Sequence, residues 1–309
     1  MPKHDFVLYY VCDLSNMIKH GRETLVKISD AGKYVVKEPL PGRVIAQKRE
    51  WLTRQHIAAD TIQQLSNIGN DAYGVPHVKS IDDANFRVVE ERVDGVPLSP
   101  LLFRRMDSIT RGRIIDALAA FLADMHTINP IPNRIEYKMD YELDVGALTD
   151  FIDVDMKKIF PVGDIKFMKK TIDRVSDKSY ETRLVWSHGD LFEENVLYDF
   201  KTKKFNVIDF TEVGTAFLHY DMMTAYPYDL GIVDELRRRY IARRGAKNLT
   251  VDFTDDARWA RIKKFHDAAV ALQNMNSSVY DLENTDNAAR KKLVAHIKQQ
   301  IQKLKQYEK

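Results

Sequence analysis

Residues 185–211 read VWSHGDLFEENVLYDFKTKKFNVIDFT. The apolar run Leu184–Trp186 predicts a short strand that delivers His188-Gly189-Asp190, and Asn195 follows Asp190 by five residues. Val196–Tyr198 and Phe205–Ile208 predict a hairpin across a polar turn. Its second strand ends in Asp209, fourteen residues after Asn195. This order of residue types suits phosphoryl transfer. One carboxylate can accept or orient the proton of an attacking hydroxyl, while an amide oxygen and a second carboxylate hold Mg²⁺ against nucleotide phosphates. Hard oxygen ligands at the ends of adjacent strands can be held to roughly half an ångström. Taken singly, an Asp or Asn in a turn is usually a cap or an Asx-turn. The joint pattern H-G-D-L-x-x-x-N-V-L followed by V-I-D-F is far more specific. It makes Asp190 the candidate base and Asn195 and Asp209 the candidate metal ligands.

Upstream, the chain reads as short strands around one helix. Phe6–Val11 is apolar and β-rich. Thr24–Ser29 and Lys33–Glu38 predict a hairpin across Asp30-Ala31-Gly32, after which Pro39, Pro41 and Gly42 break the chain. Residues 43–66 predict a helix, because Trp51, Ala58, Ile62 and Leu65 recur on one helical face. Strands follow around Val75–Ser80 and Phe86–Arg92, and Asp94-Gly95 then Pro97 mark a turn. That turn is the expected lobe boundary, with residues 1–94 forming a small β-rich lobe and residues 95–309 a larger one. The larger lobe reads mainly as helix: Ile114, Leu118, Phe121, Leu122 and Met125 make a stripe in 110–128. Leu293, Ile297, Ile301 and Leu304 make another in 287–306. Thr254-Asp255-Asp256 is a helix-start signal. The expected class is α+β.

The 185–211 stretch resembles the catalytic and metal-binding loops of the aminoglycoside phosphotransferase and choline kinase group. That group is a branch of the protein-kinase-like fold whose members phosphorylate small molecules. The resemblance runs from about residue 14 to residue 225. Lys37, in Tyr34-Val35-Val36-Lys37, looks like the third-strand lysine that contacts the α- and β-phosphates. Glu50, in Lys48-Arg49-Glu50-Trp51, looks like its partner on the one helix of the small lobe. Val88 to Leu98 resembles the hinge that hydrogen-bonds adenine through its backbone, which assigns nucleotide contacts to Glu91 and Val93. Ser15-Asn16 resembles the S-N of the first hairpin of these kinases. Leu122-Ala123-Asp124-Met125-His126 resembles the L-x-x-L-H end of a buried helix, with His126 structural. Tyr220-Asp221-Met222 resembles the Y-D-L segment after the metal loop, with Asp221 bracing the catalytic loop and His188 fixing its geometry. The resemblance implies ATP or GTP and Mg²⁺ as cofactors and a bilobal fold.

The sequence also departs from kinase patterns. No G-x-G-x-x-G precedes Lys37, so a turn around Ser15-Asn16 or Lys19-His20-Gly21-Arg22 must cover the phosphates. Asp209-Phe210 is followed by Thr211 rather than glycine, and no A-P-E closes an activation loop. These absences argue against a regulated protein kinase. A non-catalytic nucleotide-binding scaffold is the other competing class, and the intact set Lys37, Asp190, Asn195 and Asp209 argues against it.

Composition sets outer limits. With 47 Lys+Arg against 45 Asp+Glu, the 309-residue chain carries a formal charge of +2, so bulk charge is not its route to a partner. At 44% hydrophobic and 30% charged it can bury a core. A single cysteine, Cys12, excludes an intrachain disulfide and any multi-thiolate zinc site. The N-terminal apolar stretch between Asp5 and Asp13 is too short and too acidic at its flanks for a signal peptide, and no run is long enough to span a bilayer. A cytoplasmic protein is expected, with no membrane or nucleic-acid partner. Glu193, Glu194 and Glu212 flank the proposed base and metal ligand. They read either as solvent-facing loop residues or as a surplus of charge that draws a cationic hydroxyl acceptor. Tyr226, Tyr228, Trp259, Phe265 and Tyr280 read as core rather than as an aromatic cage. Arg237-Arg238-Arg239 with Arg243 and Arg244, and the Lys/Arg-rich tail from Arg290, read as solvated helix faces.

Overall fold

The computed structural model describes residues 18–20, 24–29, 32–128, 149, 152–153, 156–158, 160–176, 182–223, 230–247, 251, 253–268 and 287–307. The first strands are β1 (Ile18–His20), β2 (Thr24–Ile28) and β3 (Tyr34–Pro39). They join β5 (Val78–Asp82) and β6 (Arg87–Glu91) in an antiparallel sheet of order β1-β2-β3-β6-β5. Between β3 and β5 runs α1 (Ile45–Ile68), preceded by the Pro-Gly turn and closed by Gly69. Gly69 adopts φ 67°, a left-handed conformation that glycine takes without strain. Trp51, Ala58, Ile62 and Leu65, the stripe read from sequence, are all buried. The Trp51 indole N–H donates to Thr24 Oγ1 at 2.9 Å, which ties α1 to the sheet.

The chain leaves this sheet at Glu91. By β7 (Val96–Pro97) it belongs to a second sheet of order β4-β10-β9-β7, with β4 at Tyr73–Gly74, β9 at Val196–Asp199 and β10 at Lys204–Val207. Gly95 makes the crossing. A Cβ there would sit 3.0 Å from Leu197 Cβ and 3.1 Å from the Tyr198 carbonyl carbon, and its φ of 140° disfavours other residues. Helix α2 (Pro100–Arg105) is capped by Ser99, and α3 (Ser108–Met125) by Asp107, whose carboxylate accepts from Thr110 N at 2.9 Å. Ile114, Leu118, Phe121, Leu122 and Met125 are all buried, as their spacing requires. A two-stranded ladder pairs β8 (Leu184–Ser187) with β11 (Gly214–Phe217). The helix Val233–Ala246 packs on α3.

Two compact units emerge. One comprises Phe6–Lys138 and Leu184–Val251 and holds the eleven strands found among the described residues. The other comprises Met1–Asp5, Met139–Arg183 and Asp252–Lys309. In the latter, Lys169 pairs with Asp153 at 2.6 Å, Phe253 packs on buried Trp259 with centroids 5.0 Å apart, and Ile297 and Ile301 are buried. The side chains of Leu293 and Leu304, like the expected strand Phe6–Val11, lie outside the described residues. The turn at 94/95 falls inside the first unit, where the chain passes from one sheet to the next. Among the described residues no helix is long and apolar enough to cross a membrane.

Candidate active site

Strand pairing assembles the candidate site. Ser187 at the end of β8 faces Gly214 at the start of β11, and Val196 at the start of β9 faces Val207 at the end of β10. The loops 188–195 and 208–213 are therefore forced side by side. Between Asp190 and β9 a single 3-10 turn, Glu193–Asn195, raises Asn195. Its amide nitrogen donates at 2.8 Å to both the carbonyl oxygen and the Oδ2 of Asp190. Since both hydrogens serve Asp190, the amide is oriented and its Oδ1 is left as an acceptor. The backbone is fixed as well: Asn195 N donates to Phe192 O at 3.0 Å, and Asn195 O accepts from Ile208 N at 2.9 Å.

Asp209 caps the next turn in a left-handed backbone conformation, φ 61° and ψ 71°, uncommon for a residue with a side chain. Its Oδ1 accepts from Thr211 Oγ1 at 2.7 Å and from Lys37 Nζ at 3.4 Å, which leaves Oδ2 for a cation. The ammonium of Lys37 and Asp209's own bond from Thr211 hold the carboxyl down to about 2, against the effect of burial. Lys37 also meets Glu90 Oε1 at 3.2 Å. Burial opposes its charge, but Glu90 and Asp209 outweigh burial and keep the ammonium above the ordinary lysine range.

The sequence reading pairs Lys37 with Glu50, whereas in this structure Lys37 meets Glu90 and Asp209. Glu50 is exposed on α1, and Glu90 holds the lysine in its place. The reason lies in strand register. Lys37 is opposite Val88 and Val35 is opposite Glu90, so Lys37 and Glu90 share one face as diagonal neighbours. Reading the sequence missed Glu90. The signal was an acid two residues beyond Val88 in a strand of apolar alternation.

The catalytic-loop backbone is braced from below. Asp221 is fully buried and accepts from His188 N at 2.7 Å and Gly189 N at 3.1 Å. Burial pushes its carboxyl up, yet His126, His188 and the backbone bond together hold it below its ordinary value. His126 Nε2 lies 3.9 Å from Asp221, and its Nδ1 bonds Tyr240 OH at 2.8 Å. His188 Nε2 donates to Ile208 O at 3.2 Å and its Nδ1 accepts from Asp190 N at 3.3 Å, the pattern of a neutral ring. Burial lowers its pKa, against the pull of Asp221 and Asp209. The imidazole also packs edge-on to buried Phe210 at 4.8 Å. It is thus a bracing group, as read from the sequence.

Ser15 and Asn16 lie outside the described residues, as do Tyr226, Tyr228 and Tyr280. Glu91 ends β6, where its N–H donates to His77 O at 2.8 Å and its carboxylate pairs with Lys79 at 3.1 Å. Arg92 N donates to Lys33 O, and half-buried Val93 comes next. Glu194 is exposed, while Glu212 is paired with Arg54 at 3.1 Å and adds no surplus charge. The arginine run is only partly a solvated face, with Arg238 exposed. Arg237 and Arg244 are buried, Arg244 donates to His126 O at 3.3 Å, and Arg239 bonds Asp116 and Gly112 O, each at 2.7 Å, as well as Glu235.

An antiparallel sheet that carries a lysine and one long helix, followed by an Asp-Asn pair and a strand-end aspartate on facing loops, is the α+β architecture of the kinase-like phosphotransferases. The solved aminoglycoside 2'-phosphotransferase-IIIa in its GDP complex superposes with a TM-score of 0.62 at 15% identity, covering 96% of this chain and 95% of that one. The gentamicin complex of APH(2")-IIa gives 0.60 at 14% identity, covering 94% and 93%. A choline/ethanolamine kinase family protein from Mesorhizobium loti gives 0.58 at 16% identity, covering 96% and 92%. No curated protein matches the sequence. Residues 18–265 match the model of the phosphotransferase enzyme family (APH), and the chain belongs to that family.

Proposed function

We propose that this protein transfers the γ-phosphoryl group of ATP or GTP to a hydroxyl of a small molecule. The observation that carries the reading is the convergence of Lys37, Asp190, Asn195 and Asp209, with the Asn195 amide held by Asp190 so that its oxygen is left as an acceptor. In this reading residues 1–94 supply the nucleotide lobe and residues 95–309 the base and the acceptor site. Lys37, oriented by Glu90 and Asp209, steadies the α- and β-phosphates. The backbone at Glu91 and Val93 meets the base of the nucleotide, and Ser15-Asn16 belongs to the loop over the phosphates. Asn195 Oδ1 and Asp209 Oδ2 form a hard-oxygen pair that fits Mg²⁺, the rest of whose shell phosphate oxygens and water would supply. Bound there, Mg²⁺ would neutralise charge on the phosphates. Among the described residues no cage of three His, Cys, Asp or Glu competes for it.

Asp190 orients the acceptor hydroxyl and takes its proton as the oxygen attacks the γ-phosphorus, while the bond from that phosphorus to the bridging oxygen breaks and the nucleoside diphosphate leaves. Asn195 fixes the angle of that carboxylate, and Asp221 fixes the backbone that carries it. Because such a transition state is chiefly positioned and stabilised electrostatically, loss of a metal ligand should cost as much as loss of the base. Exposed Glu194 adds negative charge to the same loop and favours an amine-bearing acceptor. The solved relatives bound to gentamicin or classed as choline/ethanolamine kinase family act as precedents for that class. Asp190→Asn is expected to keep nucleotide affinity and to lose about 10²–10⁴ in turnover. Turnover at the wild-type rate would remove Asp190 from the base role.

A further inference from the structure

Thr211 stands where the kinase pattern has glycine, and it does not merely fill space. Its hydroxyl donates to Asp209 Oδ1 at 2.7 Å and accepts from Gln55 Nε2 at 3.4 Å. Gln55 is on α1 and is 2% exposed, so its amide is a buried polar group committed to this contact. One residue either way, Arg54 Nη1 pairs with Glu212 Oε1 at 3.1 Å, a second link from α1 to the same turn. The 3-10 turn Phe210–Glu212 packs along α1. Asp209, meanwhile, has a sparsely populated backbone conformation that needs support from its surroundings. Glu50 is exposed, and these contacts link α1 to the charged centre.

We propose that Gln55 and Thr211 are positioning residues that aim Asp209 Oδ2 at Mg²⁺. The hydrogen bonds run one way: the Gln55 amide donates to Thr211, which turns the Thr211 proton onto Oδ1. With Oδ1 held by Thr211 and Lys37, the carboxylate cannot rotate freely and Oδ2 keeps its direction. A displacement of α1 would then be felt at the metal ligand. The inference rests on the phosphotransferase reading above.

The test is calorimetric titration of ATP and GTP over a series of Mg²⁺ concentrations, with thermal melts as a check on folding. Thr211→Val keeps the shape and removes the hydroxyl. It should raise the Mg²⁺ concentration needed for half-maximal enhancement of nucleotide affinity about tenfold, the size expected of one hydrogen bond to a charged group, while Mg²⁺-free nucleotide affinity stays put. Thr211→Ser should restore the wild-type Mg²⁺ requirement. Gln55→Leu should shift it in the same direction, and the double variant Gln55→Leu/Thr211→Val should be no worse than Thr211→Val alone, because the two act in series. An unchanged Mg²⁺ requirement in Thr211→Val overturns the proposal, and so does strict additivity of the pair. If the wild type itself shows no Mg²⁺-dependent nucleotide binding, the phosphotransferase reading fails and the inference fails with it.

Discussion

Asn195 holds the middle of the site by giving both amide hydrogens to Asp190, and neighbouring His188 holds the loop by staying neutral. Burial lowers the His188 pKa below the ordinary value of about 6.5. As pH falls past that value, the unfolded chain takes up a proton before the folded chain does. The stability this group confers is therefore intact above about pH 6.5 and is lost as pH drops toward the folded value. The groups facing it are Asp221, Asp209 and Lys37. Denaturant melts from pH 7 to pH 5 should show stability declining, and His188→Gln should flatten that decline. An identical slope in both proteins would show that His188 does not titrate on unfolding. At this scale the sequence was most informative where a residue acts through its own type. Asp190, Asn195 and Asp209 stood out as a group because the phosphoryl transfer proposed above would need their oxygens in that order. Glu90 was not, because its role depends on strand register, and register is a long-range property.

Among the elements, those with a clear period were legible. The buried stripes of α1 and α3 sit where their spacing put them. The two-residue strands β4 and β7 carry no period, and only their pairing to β10 and β9 defines them. Gly95 enters β7 with a φ of 140° and lies close to the β9 backbone. Gly95→Ala adds a strained conformation and a close contact together. It should cost on the order of 1–3 kcal/mol in a urea melt. A midpoint equal to wild type would mean that the crossing can shift to admit a methyl group. The helix Val233–Ala246 shows the opposite limit of sequence reading. Its arginines look like a surface charge run, yet Arg237 and Arg244 are buried and Arg239 is matched by Asp116 and Glu235. Linear charge density does not say which side chains face inward.

For the whole molecule, a net charge of +2 concealed this internal pairing of acids and bases. The family match over residues 18–265 covers all of the candidate centre among the described residues, from Lys37 to Asp221. The two compact units cut across the chain order: the stretches 139–183 and 252–309 belong to one unit although residues 184–251 separate them. No pattern of local periodicity announces such a discontinuous unit. The central claim is phosphoryl transfer to a small hydroxyl compound. The most direct measurement is mass spectrometry of a panel of aminoglycosides, hydroxylated amines and sugars, with a peptide mixture alongside, each incubated with ATP or GTP and Mg²⁺. The account predicts that at least one small molecule gains a single phosphoryl group with wild-type protein and that the product vanishes with Asp190→Asn. Nucleotide binding with no phosphorylated product, or phosphate on the peptides alone, would contradict it.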